Sequence, residues 1–93
     1  MIKTFRDKDL EDCFENGNCR KIKQDLRNRV LMKLDALDVA GCLEDLKSPP
    51  GNRLHPLQGE RKGTWAIAVS GAWRITFEFE DGDAYQVALE QYH

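Results

Sequence analysis

Thr64-Trp65-Ala66-Ile67-Ala68-Val69-Ser70, then Trp73-Arg74-Ile75-Thr76-Phe77-Glu78-Phe79-Glu80, then Ala84-Tyr85-Gln86-Val87-Ala88-Leu89-Glu90-Gln91 is the stretch that decides the fold. Large apolar side chains fall at every second position: Trp65, Ile67 and Val69; Trp73, Ile75, Phe77 and Phe79; Tyr85, Val87 and Leu89. A period of two is that of a strand with one face buried, so the stretch predicts three strands in a meander. Gly71 marks the first hairpin turn and Asp81-Gly82 the second.

Register follows from parity, because the apolar faces of paired strands must coincide if both are to be buried. A three-residue loop 81–83 satisfies this, pairing Phe79 with Tyr85, Phe77 with Val87 and Ile75 with Leu89. The same register sets Arg74 opposite Glu90 and Ala72 opposite Tyr92, and parity at Gly71 sets Arg74 opposite Ala68. Arg74 therefore stands mid-sheet among Ala66, Ala68, Ala72 and Ala88, on the face away from the aromatic residues.

Upstream the period is that of helices. In 7–15 (DKDLEDCFE), Leu10, Cys13 and Phe14 share one side, with acids in the first turn where the helix dipole favours them. Asn16-Gly17-Asn18 breaks this helix and can cap the next. In 20–38 (RKIKQDLRNRVLMKLDALD), Ile22, Leu26, Val30, Leu34 and Leu37 recur every three or four residues with Lys and Arg between them. Gly41 ends that helix. A short turn around 42–46 stops at Pro49-Pro50-Gly51-Asn52, and Ile2 and Phe5 suggest a short opening strand. The architecture expected is α+β, with N-terminal helices packed on one face of a small antiparallel β-sheet. The alanine-lined face is then left as a shallow groove with Arg74 in its floor.

A chain of 93 residues, 41% hydrophobic and 32% charged, has room for one modest core, so 1–93 reads as a single domain and a two-domain enzyme is excluded. No stretch approaches a membrane span and no apolar leader opens the chain, which points to the cytoplasm. Cys13, Cys19 and Cys42 form no CxxC pair and match no histidine spacing, so free, mostly buried thiols are expected rather than a disulfide framework or structural zinc. The net charge of −2 is unevenly spread: residues 47–74 hold five Lys and Arg against one acid, whereas 75–93 hold five acids and no Lys or Arg. A basic middle in an acidic chain suits a local anionic ligand better than nonspecific duplex binding.

Three features bear chemistry. Arg74 in the groove floor can grip a phosphate bidentately, the alternative being an ion pair with Glu90. The loop 52–63 carries Arg53, His55, Gln58, Arg61 and Lys62, with two glycines, Gly59 and Gly63, that allow close backbone approach; its lone imidazole is either a proton shuttle or a packed loop residue. The chain ends on Tyr92-His93, which continuous strand pairing to Gln91 would deliver near Arg74, unless the terminus frays. No Ser/His/Asp signature, phosphate-binding glycine loop or HExxH metal motif occurs, so a catalyst built from these residues works without cofactor or metal. RNA cleavage by its own 2'-hydroxyl meets that condition, needing only a base, a cation at the phosphorane and an acid at the leaving oxygen.

Taken together, these residues resemble the RelE superfamily of bacterial toxins, specifically its HigB (plasmid maintenance system killer) branch. The resemblance spans essentially the whole chain. It rests on Met1-Ile2-Lys3-x-Phe5, on Leu54-His55-Pro56-Leu57-x-Gly59-x-Arg61-x-Gly63-x-Trp65-x-Ile67, on Trp73-Arg74-Ile75-Thr76-Phe77-x-Phe79 with Gly82-Asp83-Ala84-Tyr85, and on the final Tyr92-His93. It implies an mRNA endonuclease acting on the ribosome with mRNA in the A site, and a HigA-type helix-turn-helix antitoxin as partner. Position by position it implies His93 as base, Arg74 as phosphate clamp, Tyr92 as a stacking or orienting group and His55 as an accessory acid or positioning residue. Arg53, Gln58, Arg61 and Lys62 are the expected RNA contacts. Gln58, Ala72 and Gln91 depart from the branch, where a relative carries Lys, Asn and Asp. Those departures leave a second reading, a catalytically weak or inactive member that binds its antitoxin and tunes operon repression.

Overall fold

The computed structural model describes residues 1–91. Helix α1 spans Lys8–Asn16 and starts where Asp7 accepts from the backbone N–H groups of Asp9 and Leu10, at 3.1 and 3.2 Å. It stops at Gly17, whose φ of 75° is the left-handed conformation that closes helices. Helix α2 spans Arg27–Val39, shorter than the periodicity of 20–38 predicts. A 3-10 turn, Gln24–Leu26, precedes it, and Ile22 donates its N–H to the Cys19 carbonyl in a separate turn. The Arg27 side chain donates to the Ile22 and Arg20 carbonyls, so the 20–26 segment satisfies its backbone without regular helix. All five apolar residues of the predicted stripe are nonetheless buried: Ile22, Leu26, Val30, Leu34 and Leu37.

Four strands form one antiparallel sheet in the order β1-β2-β3-β4: His55–Pro56, Thr64–Ser70, Trp73–Glu80 and Asp83–Gln91. The short edge strand β1, absent from the sequence reading, comes from the segment expected to be loop. The opening segment lies parallel along the free edge of β4, with bridges Ile2–Ala84 and Phe5–Val87, so that edge is covered. The helices pack on the face that carries Ile67, Val69, Ile75, Phe77 and Val87.

Register agrees with the sequence reading at one end and departs from it at the other. Ile75 pairs with Leu89, Arg74 with Glu90 and Ala68 with Arg74. Near the turn, Phe79 pairs with Ala84 and Glu78 with Tyr85, so the loop is the two-residue Asp81-Gly82 and not 81–83. Parity is recovered by a bulge: opposite Phe77, β4 carries both Gln86 and Val87, and Gln86 has φ 54°. Ala84, rather than Tyr85, is thereby turned into the core. The bulged Gln86 N–H donates to Thr4 Oγ1 at 2.8 Å, so the covering segment supplies the acceptor that β3 cannot. The thiols also differ from expectation: Cys13 and Cys19 are joined as a disulfide across the α1 terminus, and the free Cys42 is exposed. Folding back at Gly17 brings the two sulfurs together, which spacing alone did not reveal.

Candidate functional site

Side chains of directly paired residues share a face, so the register lays out the surface opposite the helices in rows. One row is His55, Ala66, Thr76 and Ala88; the next is Ala68, Arg74 and Glu90. Neighbouring rows lie about 7 Å apart along a strand, and β1 is two strand spacings, about 10 Å, from β3. His55 and Arg74 are thus placed on one face within the combined reach of an imidazole and a guanidinium. The helices leave this face clear. Arg74 is half-buried and His55 exposed.

The groove is shorter than the alanine pattern predicts, because Ala66, Thr76 and Ala88 are buried. Glu90 draws a polar cluster over them. Its carboxylate accepts both Nη groups of Arg61 at 2.6 Å, the Thr76 hydroxyl at 2.5 Å, and a close contact from Arg6. The bidentate Arg61 contact, helped by Thr76 and Arg6 and opposed by burial, holds the Glu90 carboxyl down at about 2. The same carboxylate raises Arg61. Arg61 therefore has its fork filled, and of the loop residues expected to meet RNA it is the one the geometry withdraws from phosphate. Sequence reasoning missed Arg6 and Thr76 here. The signal was present in the register, which sets Thr76 one row from Glu90, and in Phe5, whose bridge to Val87 carries Arg6 alongside β4.

The loop groups are distinct in their situation. His55 Nδ1 is 2.7 Å from the Arg53 carbonyl oxygen. A carbonyl can only accept, so Nδ1 carries hydrogen and the lone pair of the neutral ring lies on Nε2. That nitrogen can take a proton or, in the imidazolium, deliver one. Arg53 is exposed in the left-handed conformation, φ 48° and ψ 47°, closing a 3-10 turn Pro50–Asn52. Gln58 precedes the 3-10 turn Gly59–Arg61, and both Gln58 and Lys62 are exposed. The expected roles of Tyr92 and His93 fall on residues outside the described ones; β4 is paired up to Gln91, opposite Trp73. Among the described residues no group of three or more His, Cys, Asp or Glu is placed to hold a metal ion, and no helix is long and apolar enough to cross a membrane.

The family model described as the RelE-like toxin of the type II toxin-antitoxin system HigB matches residues 3–93. The chain is 41% identical over 93 residues to a Proteus vulgaris protein named Endoribonuclease HigB, covering all of both chains. It is 37% identical over 91 residues to Toxin HigB-1 of Vibrio cholerae serotype O1, covering 97% of this chain and 96% of that one. Among solved structures, YafQ from E. coli superposes with a TM-score of 0.63 at 19% identity, over 98% of this chain and 91% of that one. A YoeB/ParE toxin from Agrobacterium tumefaciens superposes at 0.51 and 17% identity, over 99% and 96%. At these identities the superpositions establish the fold.

Proposed function

Because the chain belongs to the HigB-like family, the RelE-like toxins of type II toxin-antitoxin systems, we propose that it arrests growth by cutting translated mRNA on the ribosome. The chain is an endoribonuclease toxin, and its partner is an antitoxin. The observation that carries the mechanistic reading is Arg74 and His55 on adjacent rows of one sheet face, with the helices on the other. Arg74 clamps the scissile phosphate. His93 removes the 2'-proton, the 2'-oxygen attacks phosphorus, and the bond to the 5'-oxygen breaks; His55, through Nε2, positions the phosphate or returns a proton to that oxygen. The products are a 2',3'-cyclic phosphate and a 5'-hydroxyl. Tyr92 stacks on a base or orients the strand, and Arg53, Gln58 and Lys62 line its path.

The ribosome's part is to hold the message in the reactive geometry, since this face offers few groups to splay and orient RNA by itself. The antitoxin is of the HigA helix-turn-helix type, and the toxin works in the cytoplasm. Induction of the chain alone should stop growth and leave 5'-hydroxyl ends within translated regions, and co-expression of the antitoxin should restore growth. Deleting His93 should abolish the arrest with antitoxin binding retained. Cuts made with equal efficiency on naked RNA contradict the ribosome requirement, and unimpaired growth contradicts the toxin mechanism.

A further inference from the structure

Glu90 of β4 is paired directly with Arg74 of β3, so the two side chains leave the sheet on one face. Side chains paired in this way have Cβ atoms about 5 Å apart, close enough for an ion pair. A carboxylate in that position is a competitor of an RNA phosphate for the Arg74 guanidinium. Protonation does not remove it at neutral pH, since its carboxyl is held down at about 2, chiefly by Arg61. The contacts of Glu90 lead elsewhere. Arg61 takes both carboxylate oxygens, Nη1 on Oε1 and Nη2 on Oε2, each at 2.6 Å. Thr76 donates its hydroxyl to Oε2 at 2.5 Å, and Arg6 closes on the same oxygen. Thr76 lies two residues along β3 from Arg74 and pairs with Ala88, so the carboxylate is drawn one row away from the row of Arg74. Neither guanidinium on Glu90 comes from β2, β3 or β4: Arg61 ends the 3-10 turn Gly59–Arg61, and Arg6 belongs to the opening segment, where its N–H donates to the Val87 carbonyl at 3.0 Å. With one carboxylate and two guanidinium groups, the cluster carries a net positive charge beside the phosphate, where Glu90 alone would repel it.

We propose that Arg61 is a positioning residue that acts through Glu90: by holding the carboxylate along the Thr76 row, it keeps Glu90 from competing with the RNA phosphate for Arg74. The proposal rests on the ribonuclease reading and adds a residue to it that touches no RNA. Only a fork can occupy both oxygens at once, so the bidentate contact is the part of the cluster that a single cation such as Arg6 does not replace. The Arg61 side chain lies outside the core and is about one-third exposed, so Arg61→Gln leaves the packing intact. The test is the single-turnover rate of mRNA cleavage on saturating programmed ribosomes for wild type, Arg61→Gln, and Arg61→Gln/Glu90→Gln, with urea titrations showing each chain folded at the assay temperature. Arg61→Gln should cut about tenfold more slowly, and adding Glu90→Gln should bring the rate back to within about threefold of wild type. Both variants lack the ion pair, so a merely structural role predicts no recovery, and an Arg61 that contacts RNA itself predicts none either. A double variant as slow as Arg61→Gln overturns the proposal, as does Arg61→Gln cutting at the wild-type rate. Should Arg61→Gln fail to fold, Arg61→Lys, which keeps the charge and loses the fork, is read with and without Glu90→Gln for the same recovery. A wild-type chain that does not cut ends the ribonuclease reading and this proposal with it, whereas a wild type that cuts beside a double variant that stays slow ends the proposal alone.

Discussion

Glu90 stands at the centre of the polar face: two guanidinium groups and a hydroxyl converge on one carboxylate. Its folded-state pKa of about 2 lies below the ordinary 4.5, so the folded chain takes up this proton later than the unfolded chain. The stabilisation is complete above about pH 4.5 and is lost as the pH falls towards 2. One-fifth of the Glu90 side chain is open to solvent, and after allowance for screening the contribution is roughly 2 kcal/mol. Glu90→Gln should therefore flatten the loss of stability between pH 5 and pH 2 by about that amount in urea titrations. An unchanged acid limb contradicts the assignment. The sequence revealed that Arg74 and Glu90 stand opposite each other, and it offered their ion pair as one reading. It did not reveal that Arg61 fills the carboxylate, because a residue arriving from a loop obeys no strand or helix period.

At the scale of elements, the bulge at Gln86 decides which residues of β4 face the helices. Parity favoured a three-residue loop as the way to align the apolar faces; the chain instead keeps the two-residue turn and aligns them with the bulge. Bulges escape periodicity because one extra residue resets the phase without leaving a mark in composition. Gln86 has φ 54° with its N–H on Thr4, so the bulge depends on backbone conformation and on the opening segment together. Gln86→Gly should be neutral or stabilising by up to about 1 kcal/mol, whereas the β-branched Gln86→Val should cost about 1–2 kcal/mol. Thr4→Val should speed hydrogen exchange at the Gln86 amide and cost about 0.5–1 kcal/mol. Slower or unchanged exchange there contradicts the pairing. The stripe of α2 was legible as to which residues are buried and less so as to where helix begins, since turns through Cys19–Ile22 and Gln24–Leu26 bury Ile22 and Leu26 equally well.

For the molecule as a whole, layering divides the sheet: helices on the aromatic face leave the opposite face open, the face on which the proposed mechanism places RNA, and the basic segment 47–74 carries the cations that mechanism uses. That division was readable from the alternation of strands, because an amphipathic sheet must hide one face and expose the other. The extent of the open area was not, since the Glu90 cluster seals part of the alanine floor. The central claim is that Arg74 clamps the phosphate at which the message is cut. The most direct test is the single-turnover rate at which the purified chain cleaves mRNA on programmed ribosomes, compared with Arg74→Ala. The account predicts a fall of at least about 100-fold in that rate, the usual cost of removing one transition-state donor, with antitoxin binding intact. Cleavage by Arg74→Ala at the wild-type rate would contradict it.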